Sequence, residues 1–473
     1  MKHLIIATVA LWAIFHLGGM LWSSKTRGPD GALATFVEAP RHSIDNPYRN
    51  GYFYLFGLTA APALDPGKAG YELWVEQSEG SRRAGLDGDR TSQSDLPLIV
   101  SLESIGTGWE ANEPLNEFQK KNTLLQTAAG THQVILARYD RWLGMPFEDR
   151  GFGYRVSPHY RDIMAAHRLY VAEGFSHSPA EGLERLHKEL QFWRTVLREA
   201  KTIGTKVAAQ VLMNDDLQLL SRILVMPTLD KDLLTRSLQL TTPLSEAEYS
   251  LRWPVRNEVA LAFSEHRAGD VREAGANQPQ SPEEAWLLSA ANLPLHGFRG
   301  IEHPPARSMS GFSFQSGEMW AAYYEAVITA SESRKKNLPR LREVMGTVQR
   351  GFAESLLNPQ PAEPDWGIFY RQLMETDTRL RLASLQIQLR RPSAQTAVPT
   401  RLAEVGSQFF DPFTGLPMLW SPTQQKIYSV GKDRLDDGGD PTFDISVPAI
   451  VASTQAPAKT PVSSPRSSSK VRR

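Results

Sequence analysis

The chain has 473 residues, enough for two or three domains of ordinary size. Its 52 basic and 52 acidic side chains cancel, which removes the global positive field that argues for nucleic acid as a partner. There is no cysteine, so disulfides, thiolate metal sites and a cysteine nucleophile are excluded.

The run Leu4–Trp22 contains no Asp, Glu, Lys or Arg. As a helix rising about 1.5 Å per residue it spans roughly 28 Å, close to a bilayer core. It predicts an anchor over residues 1–24 that partners the lipid bilayer. Gly18–Ser24 offers a poor small-x-small cleavage site, which favours an uncleaved anchor over a signal peptide. Lys2 on one side and Lys25 and Arg27 on the other leave the positive-inside rule undecided. The absence of cysteine and the C-terminal segment below favour a single-pass bacterial inner-membrane protein with its body in the periplasm.

Residues 25–59 read as a linker followed by the aromatic run Tyr48–Leu58, which is expected to pack against helices as core. A helical body is expected over residues 60–391. Asp65 opens a helix to Glu79, and Gly80–Leu96 is a polar surface loop. Glu113–Trp142 is helical with a break at Gly130-Thr131, and Tyr160–Gly174 is helical. Ser178–Met226 reads as the longest helical stretch. Ser178-Pro179-Ala180-Glu181 has the form of a capping box, with proline at the first helical position. Leu183, Leu186, Leu190, Trp193, Leu197, Ala200, Val207 and Val211 form an apolar stripe, with Glu184, Lys188 and Glu189 largely off it. Gly204 and Asn214-Asp215-Asp216 are where this helix is expected to bend or break. Further helices are expected at Leu229–Leu240, Ser245–His266, from Ser281, at Ser316–Ser331, Leu338–Leu357 and Trp366–Arg391. No repeat of about 34 residues recurs.

The texture changes near residue 405. Phe410–Trp420, Lys426–Gly431 and Phe443–Val447 read as short strands of a β-hairpin module over 405–447. Asp433, Asp436, Asp437 and Asp440 precede Asp444, and Gly438-Gly439 lets the backbone fold around a ligand. Hard carboxylate oxygens in a flexible loop suit calcium. The order Asp411-Pro412, Tyr428-Ser429-Val430-Gly431, Asp433, Gly438-Gly439 and Asp444-Ile445 resembles the C-terminal end of the major pseudopilins of type II secretion. The resemblance implies a calcium-binding loop that closes on Asp444. It covers the C-terminal module alone, with Arg434 standing where such loops often carry glycine. The N-terminus lacks the Gly-Phe-Thr-Leu-x-Glu processing motif of that family. Val451–Arg473 is basic, rich in Pro and Ser, and expected to be disordered.

Chemistry is sparse. Glu184-x-x-His187 has di-iron spacing, but no second copy exists, and the two residues read as a surface pair. Ser333–Lys336 and Ser467–Lys470 match Ser-x-x-Lys without the accompanying motifs. His296, Arg299, Glu302 and His303 crowd one loop. The chain therefore reads as mainly α: an N-terminal transmembrane helix, an irregular multi-helical body, a small β-hairpin module and a disordered tail. The leading function is a membrane-anchored envelope protein with an interaction or scaffold domain and an envelope protein as partner. The alternatives are a membrane-anchored periplasmic hydrolase or a secretion- or pilus-associated component.

Overall fold

The computed structural model describes residues 31–84, 108–109, 111, 113–158, 160–226, 229, 231–261, 313–340, 366–391 and 397–450. The expected anchor Leu4–Trp22, the expected tail Val451–Arg473, and the stretches 281–303 and 341–357 lie outside these residues. Among the described residues no helix is long and apolar enough to cross a membrane.

The described chain is mainly helical with one small sheet. The helices are α1 (Gly51–Phe56), α2 (Pro66–Ala84), α3 (Pro114–Lys120), α4 (Asn122–Thr131), α5 (Gln133–Trp142), α6 (Tyr160–His177), α7 (Pro179–Glu199), α8 (Ile203–Ile223), α9 (Lys231–Leu240), α10 (Glu246–Tyr249), α11 (Ser313–Glu332), α12 (Trp366–Leu389) and α13 (Val398–Glu404). A further helical run, 252–261, follows α10. Strands β1 (Leu419–Ser421), β2 (Lys426–Ser429) and β3 (Ile445–Pro448) form an antiparallel sheet in that order, with Trp420 opposite Ile427 and Tyr428 opposite Ser446.

The aromatic run is core, as its composition predicts. Asn50 caps α1 by accepting the Tyr52 amide proton at 3.0 Å, while its own amide group donates to the Glu148 carbonyl at 2.8 Å. Every residue of α1 is buried. Helix α2 crosses it through glycine: a Cβ built at Gly70 would lie 1.9 Å from the Phe53 carbonyl oxygen, and one at Gly57 2.0 Å from that of Pro66. Only hydrogen fits between these backbones. The crossing lets Phe53 meet Tyr71 and Trp74 at ring separations of 5.1 Å each.

The centre of the body is the antiparallel series α6, α7 and α8, with α12 packed across α8 and α9. Leu186, Leu190, Trp193, Val196 and Leu197 of α7 are fully buried. Trp193 meets Trp142 of α5 at 5.2 Å, and the Trp142 indole donates to the Gly51 carbonyl at 2.9 Å. The β-module sits on α12, whose Gln386 amide donates both to Ser221 of α8 at 2.9 Å and to Pro448 at the end of β3 at 2.6 Å.

The structure corrects several boundaries. Ser178–Met226 is two helices, and the break is at Ala200–Thr202 rather than at Gly204 or Asn214–Asp216. Asp149, 52 residues earlier, holds the break open: its Oδ2 accepts the Lys201 amide at 2.8 Å and that of Thr202 at 3.2 Å. Thr202 then caps α8 through the Thr205 amide. The register restarts there, so Val211 is 47% exposed while Asp215 and Asp216 lie inside the protein. Ser178 does cap α7, accepting the Glu181 amide at 3.1 Å, but Glu181 turns to Arg185 and the box is not closed. A closed capping box forms at Ser245 and Glu248 instead. Ser245–His266 breaks at Ser250, and Glu113–Trp142 breaks at Lys121 as well as at His132. The first strand is short: Asp411 accepts the Phe413 amide in a turn, and pairing starts only at Leu419.

Gly70→Ala is expected to destabilise the protein by about 3 kcal/mol, as overpacking against fixed backbone does. A lowered denaturation midpoint with an unchanged denaturant slope checks this.

Candidate functional site

Helices α6, α7 and α8 bring His167, Glu189, Asp215 and Asp216 together in the interior. His167, Glu189 and Asp216 have no exposed surface, and Asp215 has 8%. One ligand atom from each of His167, Glu189 and Asp216 lies within 4.8 Å of the others. The His167 Nδ1 faces Glu189 Oε2 in a short hydrogen bond. Its Nε2 lies 3.2 Å from Asp215 Oδ2 and 3.8 Å from Asp216 Oδ1. Arg168 clamps Asp215 with two hydrogen bonds, Nε to Oδ2 at 2.8 Å and Nη2 to Oδ1 at 2.6 Å. Arg168 also lies over the Trp109 ring, and the Trp109 indole donates to the Asp215 carbonyl at 3.2 Å.

Asp215 is therefore satisfied and Asp216 is not. Both Asp216 oxygens are buried without a hydrogen-bond partner among the described residues, while the Tyr139 hydroxyl interacts with Glu189 and the Trp193 indole. Burial, with repulsion from Glu189 and Asp215, pushes the Asp216 carboxyl well above the usual carboxylate range. Burial raises Glu189 as well. For His167 burial opposes the charged ring, but Glu189, Asp216 and Asp215 outweigh it and hold the imidazole well above its ordinary value. Asp215, although buried, is held below the ordinary range by His167 and Arg168.

A surface cleft of about 540 Å³ opens where α4, α5, α6 and α7 meet, lined in part by Asp140, Tyr170, Glu173, His177 and Arg185. It is distinct from the buried cluster: Tyr170 lines it, and Tyr139, stacked edge-on against Tyr170 at 5.6 Å, lies inward toward Glu189. Its charges are already paired. Arg185 bridges Glu173 and Glu181, His177 lies 3.2 Å from Glu173 and 3.3 Å from Glu181, and Asp140 accepts from Lys188 at 2.7 Å and from the Tyr170 hydroxyl.

No known protein family, curated protein or solved structure matches this chain.

The acidic loop of the C-terminal module is turned outward. Asp433, Asp436, Asp437 and Asp440 are exposed, while Asp444 is buried. Asp433 accepts the Leu435 amide, Asp440 that of Thr442, and Asp436 both the Gly438 amide and the Tyr428 hydroxyl. Asp444 Oδ2 accepts the Gly439 amide at 2.7 Å, and the Asp437 backbone amide also faces this buried carboxylate. Burial raises the Asp444 carboxyl, and Asp437 and Asp436 add to the rise by repulsion. Gly431, Gly438 and Gly439 turn the loop with φ of 67°, 72° and 87°, and Arg434 also takes a left-handed φ of 61°. Glycine is the natural occupant of that conformation.

The other motifs separate. Glu184 is exposed, but His187 is buried and hydrogen-bonded to Ser237 at 2.8 Å, so the expected surface pair does not form. Arg334 donates to the Leu244 carbonyl and Lys336 to that of Thr414, so the first Ser-x-x-Lys match joins chain segments. The His296–His303 loop and Ser467–Lys470 lie outside the described residues. What the sequence reading missed is Glu189, taken as off the stripe. It is in helical phase with Leu186 and Trp193, and Asp216 with Leu212 and Leu220, so acids at core positions were the available signal.

A second buried charge lies at the α7–α8 junction. Lys206 is 2% exposed and donates to the carbonyls of Leu197 at 3.2 Å and Ser250 at 2.8 Å. Burial pushes its pKa down to about 7. The unfolded chain then binds more protons than the folded one between about pH 7 and the ordinary lysine value, so this residue's contribution to stability rises with pH across that window. Melting temperatures of the parent minus those of Lys206→Met are expected to increase from pH 7 to pH 9 and to stay flat below pH 6.

Proposed function

We propose that the chain is a bacterial envelope protein, anchored in the inner membrane through Leu4–Trp22 with its body in the periplasm. The helical body serves as an interaction scaffold, and the C-terminal β-module is a clip on it. The observation that carries the scaffold reading is the use of charge within the body. Its arginines are spent on internal ties: Arg194 on Glu248 and the Leu240 and Thr242 carbonyls, Arg381 on Asp377 and the Phe410 carbonyl, Arg401 on the end of α12. The surface cleft has its acids and histidine paired with one another, and the buried cluster is closed to a substrate. Both features support a rigid binding body over the alternative of a periplasmic hydrolase.

Calcium is proposed as the ion that closes the loop, with Asp433, Asp436, Asp437, Asp440 and Asp444 as candidate ligands. The buried Asp444 carboxylate and the glycine turn beside it support this, together with the resemblance to the pseudopilin loop. That resemblance also keeps a secretion- or pilus-associated role in view. The basic tail Val451–Arg473 is read as a solvated extension.

Alkaline phosphatase fused after Val447 is expected to be active, and a cytoplasmic fluorescent reporter at the same position dark. The reverse pattern overturns the periplasmic reading. Exposed apolar side chains mark where a partner would sit: Leu416 and Leu435 are 64% exposed and Phe443 56%. A photo-crosslinking residue at each is expected to give one discrete adduct in cells, absent from exposed polar control positions. No adduct at any of the three would count against the scaffold.

Asp444→Asn is expected to lower the melting temperature in the presence of calcium and to leave it unchanged when calcium is chelated. Equal melting of parent and variant in both conditions removes calcium from the loop.

A further inference from the structure

The interior cluster of α6, α7 and α8 is built as a cation site. Side chains of α5, α7 and α8 converge on one enclosed spot where Asp216 has both oxygens unused, beside Glu189, whose neighbours are the Tyr139 hydroxyl and, beyond it, the Trp193 indole. Tyr139 has no exposed surface, and Glu189 and Asp216 are its charged neighbours. Groups of this kind are rarely buried without partners, because each forfeits its hydration. The charge count is compatible with a divalent ion. Arg168 neutralises Asp215 with a bidentate pair. Glu189 and Asp216 then remain as two carboxyl groups beside one imidazole: protons on His167 and Asp216 balance the cluster without an ion, and a divalent cation with neutral His167 balances it equally.

The spacing also fits. Ligand atoms within 4.8 Å of one another surround a point that small side-chain shifts bring to about 2.0–2.2 Å from each, the ordinary range for nitrogen and oxygen ligands. Metal-bound histidines donate their second ring nitrogen to a carboxylate or carbonyl. With Nδ1 as the ligand, in place of its hydrogen bond to Glu189, Nε2 keeps its partner in Asp215. An imidazole with two carboxylates selects a divalent transition ion of the zinc and manganese kind over calcium or magnesium.

We infer that His167, Glu189 and Asp216 bind one divalent transition-metal ion that joins α6, α7 and α8. With those residues buried, the ion's role is structural. The site is independent of the outward acidic loop, and its test is kept separate by holding calcium constant.

Full-length protein, purified in detergent without chelator, is expected to carry about one equivalent of zinc or manganese by elemental analysis. Stripping with dipicolinate is expected to lower the melting temperature by about 5 °C or more, and adding back Zn²⁺ or Mn²⁺ to restore it. Asp216→Asn keeps the side-chain shape and removes a buried charge. It is expected to lose the metal and the response to Zn²⁺ and Mn²⁺, yet to melt no lower than the stripped parent. Asp444→Asn is expected to retain both metal and response. The proposal is overturned by a parent with no bound metal and no response to either ion. It is equally overturned by an Asp216→Asn protein that keeps its metal.

Discussion

Three helices of this protein have carboxy termini closed by an arginine from another element. Arg194 of α7 donates to Leu240, Thr242 and Pro243 at the end of α9. Arg390, just beyond α12, donates to Leu224 and Met226 at the end of α8. Arg401 of α13 donates to Gln388, Leu389 and Arg391 at the end of α12. Arg138 of α5 does the same for the turn after α1, reaching Leu58, Ala60, Ala61 and Leu64. Terminal carbonyls have no partner within their own helix and carry the negative end of its dipole. A guanidinium supplies several donors in one plane and a compensating charge, and hydrogen bonds to charged groups are worth about 1.5–3 kcal/mol each. These closures fix where each helix stops and which neighbour it stops against.

Asp377 plays the opposite part. It is fully buried in α12, and it accepts the Leu244 amide at 2.7 Å, the Tyr249 hydroxyl at 2.9 Å and Arg381 of its own helix. Arg381 in turn donates to the Phe410 carbonyl, at the entrance to the β-module. One ion pair thus sets the position of the α9–α10 connection on one side and of the C-terminal module on the other. Breaking such a pair leaves a charge buried and unpaired, which costs more than the intact pair contributes.

Apolar periodicity made the long elements legible in the sequence. Phe369, Leu373, Leu380, Ala383 and Ile387 keep helical spacing and all lie buried in α12. Ser178-Pro179 marks the start of α7 because a cap is a local device. The end of α7 was not legible, because Asp149 lies far away in sequence and nothing near Ala200 announces the break. The polar cluster was hidden for a related reason. Glu189 and Asp216 occupy core positions of their helices, whereas an acid reads first as a residue off the apolar stripe, as at Glu189, or as a helix break, as at Asn214–Asp216. The acidic loop of the β-module stood out at once, because its aspartates and glycines are contiguous.

The reach of these closures in sequence also bears on how the chain is made. Arg390 follows Leu224 by 166 residues, and Gln386 follows Ser221 by 165. At a synthesis rate of about 5–20 residues per second, α8 waits roughly 8–33 s for the groups that complete its far end. During that interval the apolar face that α12 will cover stands open. The two helices that share this face therefore meet late, and the polar ties that fix the end of α8 form only after α12 has been made.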